Sequence, residues 1–128
     1  MFFKIDPHNG VPVYEQVVRQ VTFAIADGSL RTGEMIPSVR QLARKLAINP
    51  NTVARAYREL QEAEIVESIR GTGLQVSQGA RKTCQSNRQR IFKARFKSMI
   101  AEARQSQLSD EEIRKILTSE LSKKRKES

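Results

Sequence analysis

Residues 37–60 read PSVRQLARKLAINPNTVARAYREL, and two helix starts are written into them. Ser38 can cap free backbone N–H groups while Gln41, three residues on, reaches back to the cap. Val39, Leu42, Ala43 and Leu46 then make an apolar stripe, which predicts a helix over residues 38–46. Ala47 and Ile48 form a short turn. Asn49 caps the next helix and Pro50 takes its first position, where the missing N–H costs nothing. Val53, Ala56, Tyr57 and Leu60 recur at i, i+3, i+4 and i+7 and so face inward. Asn51, Arg55, Arg58 and Glu62 fall on the outward side, with Thr52 beside them. Two short helices across a tight turn form the helix-turn-helix pattern.

The flanking sequence supplies the rest of a domain. Upstream, Pro12 suits a first helical turn, and Val13/Tyr14, Val17/Val18, Val21 and Ile25 recur at helical spacing until Gly28 stops them, which predicts a helix over about 12–28. In the connector from Ser29 to Pro37, Leu30 and Ile36 are apolar enough to be tucked under. Downstream the period changes. Ile65, Val66 and Ile69, then Leu74 and Val76, are β-prone, and Arg70-Gly71-Thr72-Gly73 lies between them. That predicts a hairpin of residues 65–69 and 74–77. An isolated hairpin is marginal, so it must lean on the helices; three helices plus such a hairpin is a winged helix. Gly71-Thr72-Gly73 is not a nucleotide loop, because Val76 stands where a third glycine is needed and a strand follows.

A different pattern begins at Gly79-Ala80. Phe92, Phe96, Met99 and Ala103 alternate spacings of four and three, flanked by Ile91 and Ile100. Ser109-Asp110-Glu111-Glu112 is a capping box, and Ile113, Ile116/Leu117 and Leu121 mark a helix after it. Two such helices are too few to enclose a core. Pairing with a second subunit is the economical solution, with Phe92, Phe96, Met99, Ile100, Ile113 and Leu117 as the expected contacts. Lys123 to Ser128 reads as a frayed, solvated end. The expected fold is mainly α with a small β-hairpin: a winged helix-turn-helix over residues 1–79, then a two-helix dimerisation tail over residues 80–128.

Charge points to the partner. The chain has 128 residues and a net charge of +9. Residues 1–79 carry 9 basic and 8 acidic side chains, whereas residues 80–128 carry 14 and 6. Between Ser38 and Arg58 stand Arg40, Arg44, Lys45, Arg55 and Arg58 with no acid, and Glu59, Glu62, Glu64 and Glu67 follow. Cations on consecutive helices, fenced by acids, look like a footprint for phosphates, although a charge run alone is more often a solvated face. A run from Arg81 to Lys97 adds seven cations without an acid and could graze flanking DNA.

Other classes fall away. The longest apolar run, Phe23 to Ala26, is far short of a membrane span. The N-terminal stretch Met1 to Pro7 lacks a signal peptide's apolar segment. One cysteine, Cys84, permits no intrachain disulfide, which suits a reducing cytoplasm. One histidine, His8, and that cysteine cannot build the usual zinc sites or nucleophilic triads. No catalytic residue, metal or cofactor is expected, and an effector ligand is left open.

The helix starting at Pro50 offers chemistry suited to a major groove, since the N-terminal residues of such a helix reach base edges. Asn49 and Asn51 suit adenine, Thr52 a phosphate or a thymine methyl, and Arg55 a guanine edge or a phosphate. Ser38 and Arg40 stand at a helix N-terminus that attracts anions. Arg44, Lys45 and Arg58 are placed for phosphates, which position without specifying. Arg70 and Gly71, at the hairpin tip, suit a minor groove. Each has a plainer account as well: Asn49 as a cap only, Thr52 as surface, Arg58 paired with Glu62, the glycines serving only the turn.

The segments Leu30 to Ala43 and Ile48 to Leu60 resemble the winged-helix domain of the GntR family, over about residues 10–78. The tail, with Leu108 to Ile113, is similar to the YtrA-type subfamily, whose tails mainly form a dimer. The resemblance implies a bacterial transcriptional regulator that binds an inverted-repeat operator as a homodimer, with repression the expected sense. It places the DNA contacts at Arg40, at Asn49, Asn51, Thr52 and Arg55, and at Arg70-Gly71. Glu64-Ile65-Val66 and Gly73-Leu74-Gln75-Val76 depart from the family's usual Gly-Leu-Ile and Gly-Thr-Phe-Val. The other class to weigh is a winged helix serving as a protein-interaction module, with only non-specific affinity for nucleic acid.

Overall fold

A computed structural model of the chain describes residues 5–125. Met1 to Lys4 of the N-terminal stretch, and Lys126 to Ser128 of the basic end, lie outside the described residues. The elements in chain order are α1 (Val13–Ala26), α2 (Val39–Leu46), α3 (Pro50–Glu62), β1 (Val66–Ile69), β2 (Gly73–Val76), α4 (Ala80–Gln105) and α5 (Asp110–Ser122). The chain forms two compact units, residues 1–89 and 90–128. No described helix is long and apolar enough to cross a membrane.

The first unit is the winged helix. Val17, Val21 and Ile25 of α1, Leu42 of α2, Val53 and Leu60 of α3, Val66 and Val76 of the strands and Cys84 of α4 are its largest fully buried side chains. Leu30 and Ile36 are buried beneath the connector as expected. α1 is shorter than the periodicity suggests. Pro12 adopts an extended backbone (φ −53°, ψ 143°) and precedes the helix as its cap. At the other end Leu30 N–H returns to Ala24 O (3.0 Å), closing the helix at Ala26. Gly28 makes that return possible. Its φ is +86°, and a Cβ there would sit 3.3 Å from the Arg81 guanidinium, so both backbone and space favour glycine.

The turn between α2 and α3 is made by Ala47 in the left-handed region (φ 54°, ψ 47°). Tyr57 Oη donates to Pro37 O (2.8 Å), which ties the middle of α3 to the entry of α2. Burial pushes that phenol well above its ordinary pKa, so it stays a donor.

β1 and β2 pair antiparallel, with Val66 opposite Val76 and Ile69 opposite Gly73. The ladder departs from the expected spans by one residue at each side. Ile65 lies between α3 and β1, its N–H bonding Leu60 O (2.9 Å) and its carbonyl accepting from Ser77 N–H (3.0 Å), while Gly73 enters β2. The connector also contributes to the sheet: Gly33 N–H bonds Val76 O, Val76 N–H bonds Glu34 O, and Ile36 N–H bonds Leu74 O, each at 2.9 Å. β2 is thus hydrogen-bonded on both sides, which steadies a hairpin that would otherwise be marginal.

α4 starts at Ala80, at the change in pattern after Gly79, yet the first unit extends to Gln89. Ala80 and Cys84 explain this, since both are buried in the winged-helix core. Cys84, which the sequence offered only as a lone thiol, is a core residue, and burial raises its thiol pKa to about 11. Gln85 Nε2 donates to Ala26 O (3.2 Å), and Arg81 Nε lies 3.5 Å from the same carbonyl, so both serve the C-terminal end of α1.

In the second unit, the capping box at Ser109 and Glu112 forms as read: Glu112 N–H donates to Ser109 Oγ (3.1 Å) and Ser109 N–H to Glu112 Oε1 (3.0 Å). Arg104 clasps Asp110 through two hydrogen bonds of 2.9 and 3.1 Å at the corner between α4 and α5. No described residue of this unit is fully buried.

Candidate nucleic-acid interface

Helix geometry sets the polar face of α3. Residues advance about 100° each, so Asn51, Arg55, Arg58 and Glu62 fall within about 60° of one another. Val53, Ala56, Tyr57 and Leu60 point the opposite way and are all buried. The polar face is therefore held outward by the packing of its reverse side against α1 and α2. Asn51, Arg55 and Arg58 are exposed and Thr52 is half-buried.

Asn49 does act as the cap: Asn51 N–H donates to Asn49 Oδ1 (2.8 Å). Asn49 is itself exposed at the N-terminal end of α3. Ser38 is likewise committed to its capping box, accepting from Gln41 N–H (3.1 Å) while Gln41 Oε1 accepts from Ser38 N–H (2.9 Å). Arg40 is exposed on the first turn of α2, and Arg44 on its last. Arg70 and Gly71 are exposed at the hairpin tip.

Charge on this surface is unneutralised. Among the described residues Arg40, Arg44, Arg55 and Arg58 form no ion pair, and the pairing of Arg58 with Glu62 is not made. One interaction was not visible in the sequence: the Arg55 guanidinium lies 3.8 Å from the centroid of the Tyr14 ring. Tyr14 belongs to the apolar stripe of α1, and nothing in its spacing singles it out. The stack orients Arg55 at the surface at a contribution of about 0.5–1 kcal/mol for an exposed site.

The residues expected from sequence at a dimer contact are a separate set. Phe96 is 51% and Met99 64% exposed, Phe92 and Leu117 are also exposed, and Ile100 and Ile113 are half-buried. Ile100, Ile113 and Leu117 share a small cleft at the α4–α5 corner with Arg104, Asp110 and Arg114.

Comparison with known proteins follows the same division. Residues 13–76 match the family described as bacterial regulatory proteins, gntR family. The chain is 37% identical over 100 residues to the HTH-type transcriptional repressor YtrA of Bacillus subtilis, covering 78% of this chain and 77% of that one. Over 67 residues it is 43% identical to the HTH-type transcriptional regulator Rv1152 of Mycobacterium tuberculosis, covering 52% of this chain and 55% of that one. A solved GntR family transcriptional regulator from Listeria monocytogenes superposes with a TM-score of 0.71 at 32% identity, covering 87% of this chain and 96% of that one. The hundred residues shared with the Bacillus repressor exceed the 64 of the family match, so that likeness reaches beyond the winged helix.

Proposed function

This chain belongs to the GntR family of bacterial regulatory proteins, and from that premise we propose that it is a transcriptional repressor that binds an inverted-repeat operator as a homodimer. The observation that carries the reading is the outward face of α3. Asn51, Arg55 and Arg58 stand exposed, and among the described residues without ion pairs, on a helix whose other side is locked in the core.

α3 enters the major groove. Asn51 and Arg55 meet base edges there, Asn49 and Thr52 approach from the first turn, and each good bidentate contact contributes about 1–3 kcal/mol of discrimination. Arg55 leaves its ring stack, or reaches past it, to do so. Arg40, Arg44 and Arg58 hold phosphates on either side, with Ser38 presenting the α2 N-terminus. Arg70 and Gly71 bring the wing tip to the minor groove. The protein carries out no chemistry of its own and works in the cytoplasm, where the DNA is.

The second unit supplies the symmetry. Among the described residues α4 and α5 meet at the Arg104–Asp110 corner and its small cleft, which leaves Phe92, Phe96 and Met99 of α4 exposed. Phe92, Phe96 and Met99 then pack on a second copy, with Ile100, Ile113 and Leu117 at the corner. A two-fold protein reads a two-fold site, which is the reason to expect an inverted repeat.

Selection of bound sites from a pool of random duplexes tests all of this together. Recovered sequences should show two mirrored half-sites about one helical turn apart or a multiple of it. Recovery of no preferred sequence, with binding that varies only with salt, would support an interaction module instead.

A further inference from the structure

The basic run from Arg81 to Lys97 is not one surface. Arg81 is committed to the α1 C-terminus at Ala26 O. Arg88, with Arg81, adds to the lowering of the Asp27 carboxyl pKa, which hydrogen bonds from Ser29 principally cause. These two arginines face the winged helix itself. Arg90, Lys93 and Lys97 differ. They belong to the second unit, all three are exposed, and among the described residues none forms an ion pair. On α4 they fall within about 60° of one another. Phe92, Phe96, Met99 and Ala103 fill a separate arc centred about 120° away around the helix. Packing a second copy on the apolar arc therefore leaves the three cations in solvent. The line ends at Arg104, which Asp110 neutralises.

We propose that Arg90, Lys93 and Lys97 form a second DNA-binding surface, which holds backbone phosphates of duplex outside the half-sites read by α3. This rests on the reading of the chain as a dimeric operator-binding regulator. The partner's chemistry follows from the geometry. The three cations span about 10 Å along the helix axis, and duplex DNA presents one charge about every 1.7 Å of its axis, so each cation finds a phosphate. No acid and no aromatic side chain falls on this arc, so it carries charge attraction without base stacking or sequence preference. With Arg40, Arg44, Arg58 and the wing assigned to the phosphates of a half-site, the proposal gives these three cations the phosphates beyond it.

The test uses the full chain and two duplexes, one ending at the half-sites and one extended by about a helical turn on each side. The wild type should bind the extended duplex at least several-fold more tightly, and with a steeper salt dependence. Arg90→Gln/Lys93→Gln/Lys97→Gln should lose that gain and keep its affinity for the short duplex. Six cations per dimer would lower the log–log salt slope by up to about 5. Lys93→Arg/Lys97→Arg, which keeps the charge, should behave as wild type and shows that charge, not fold, is read; sedimentation confirms that every variant remains a dimer. Equal affinity of the wild type for both duplexes would overturn the assignment. So would a glutamine variant that keeps the gain, or one that weakens on both duplexes alike. Failure to bind either duplex specifically would instead strike the operator-binding reading beneath it.

Discussion

The two compact units are stabilised in opposite ways. In residues 1–89, α1, α2, α3, both strands and the first turns of α4 share one buried cluster, from Val17 to Cys84. In residues 90–128 no described side chain is fully buried, and the structure rests on helix caps, on Arg104–Asp110 and on short-range helical bonds. A long-range core makes a unit that folds on its own account. A pair of capped helices with exposed Phe96 and Met99 makes one that needs something to cover it. The lesson is a division of labour: the first unit has spent its apolar residues on rigidity for α3, and the second leaves its own exposed.

The largest effect that would break this contrast lies in the core. Leu60→Ala removes a side chain buried between α3 and the rest of the unit. It should cost about 2–5 kcal/mol, read as a drop in the midpoint of denaturant unfolding. An unchanged midpoint would mean that the first unit is not held by this core. The counterpart in the second unit is Phe96→Asp. It should leave the winged helix folded by circular dichroism but halve the mass seen by light scattering, and with it most of the operator affinity. A dimer that persists in that variant would remove the apolar arc of α4 as the interface.

Smaller effects sharpen the picture of the surface. Arg55→Ala should weaken operator binding by about 1–3 kcal/mol and random duplex by much less, as measured by titration at one salt concentration. Equal losses would reassign Arg55 to phosphate. Tyr14→Ala removes only the ring stack and should change operator affinity by no more than about 1 kcal/mol.

The smallest effect is on α5. Arg104 lowers the pKa of Asp110, and hydrogen bonds at Ser109 lower that of Glu112. A carboxylate whose folded pKa is depressed stabilises above its unfolded pKa and loses that contribution as pH falls through the folded value. Helix content of the tail should therefore decline slightly on acidification below the ordinary carboxylate range, with little change between pH 6 and 8. A tail insensitive to acid would show that the caps contribute nothing measurable.

Much of the site was legible because its signals are local. Ser38 with Gln41, Asn49 with Pro50, and Ser109 with Glu112 each announce a helix start within four residues, and each cap is formed as read. The 3.6-residue period then places Asn51, Arg55 and Arg58 opposite Val53, Ala56 and Leu60 without further information. What escaped the reading is non-local. The Arg55–Tyr14 stack joins α3 to α1, the Tyr57 Oη bond joins α3 to Pro37, and the connector at Gly33 to Ile36 pairs with a strand some forty residues later. Arg81 was misjudged for the same reason, since its partner lies on α1, and Cys84 because the core it joins is assembled from distant segments.

By itself, then, the order of residues determined where helices begin, which sides of them are apolar, and where cations gather, because caps, periodicity and charge act over one or two turns. Only the folded chain decided which apolar side is sealed and which stays open, and which arginines are spent on neighbours and which are free. Burial and ion pairing are properties of surfaces brought together, and the segments that meet here are separated by tens of residues.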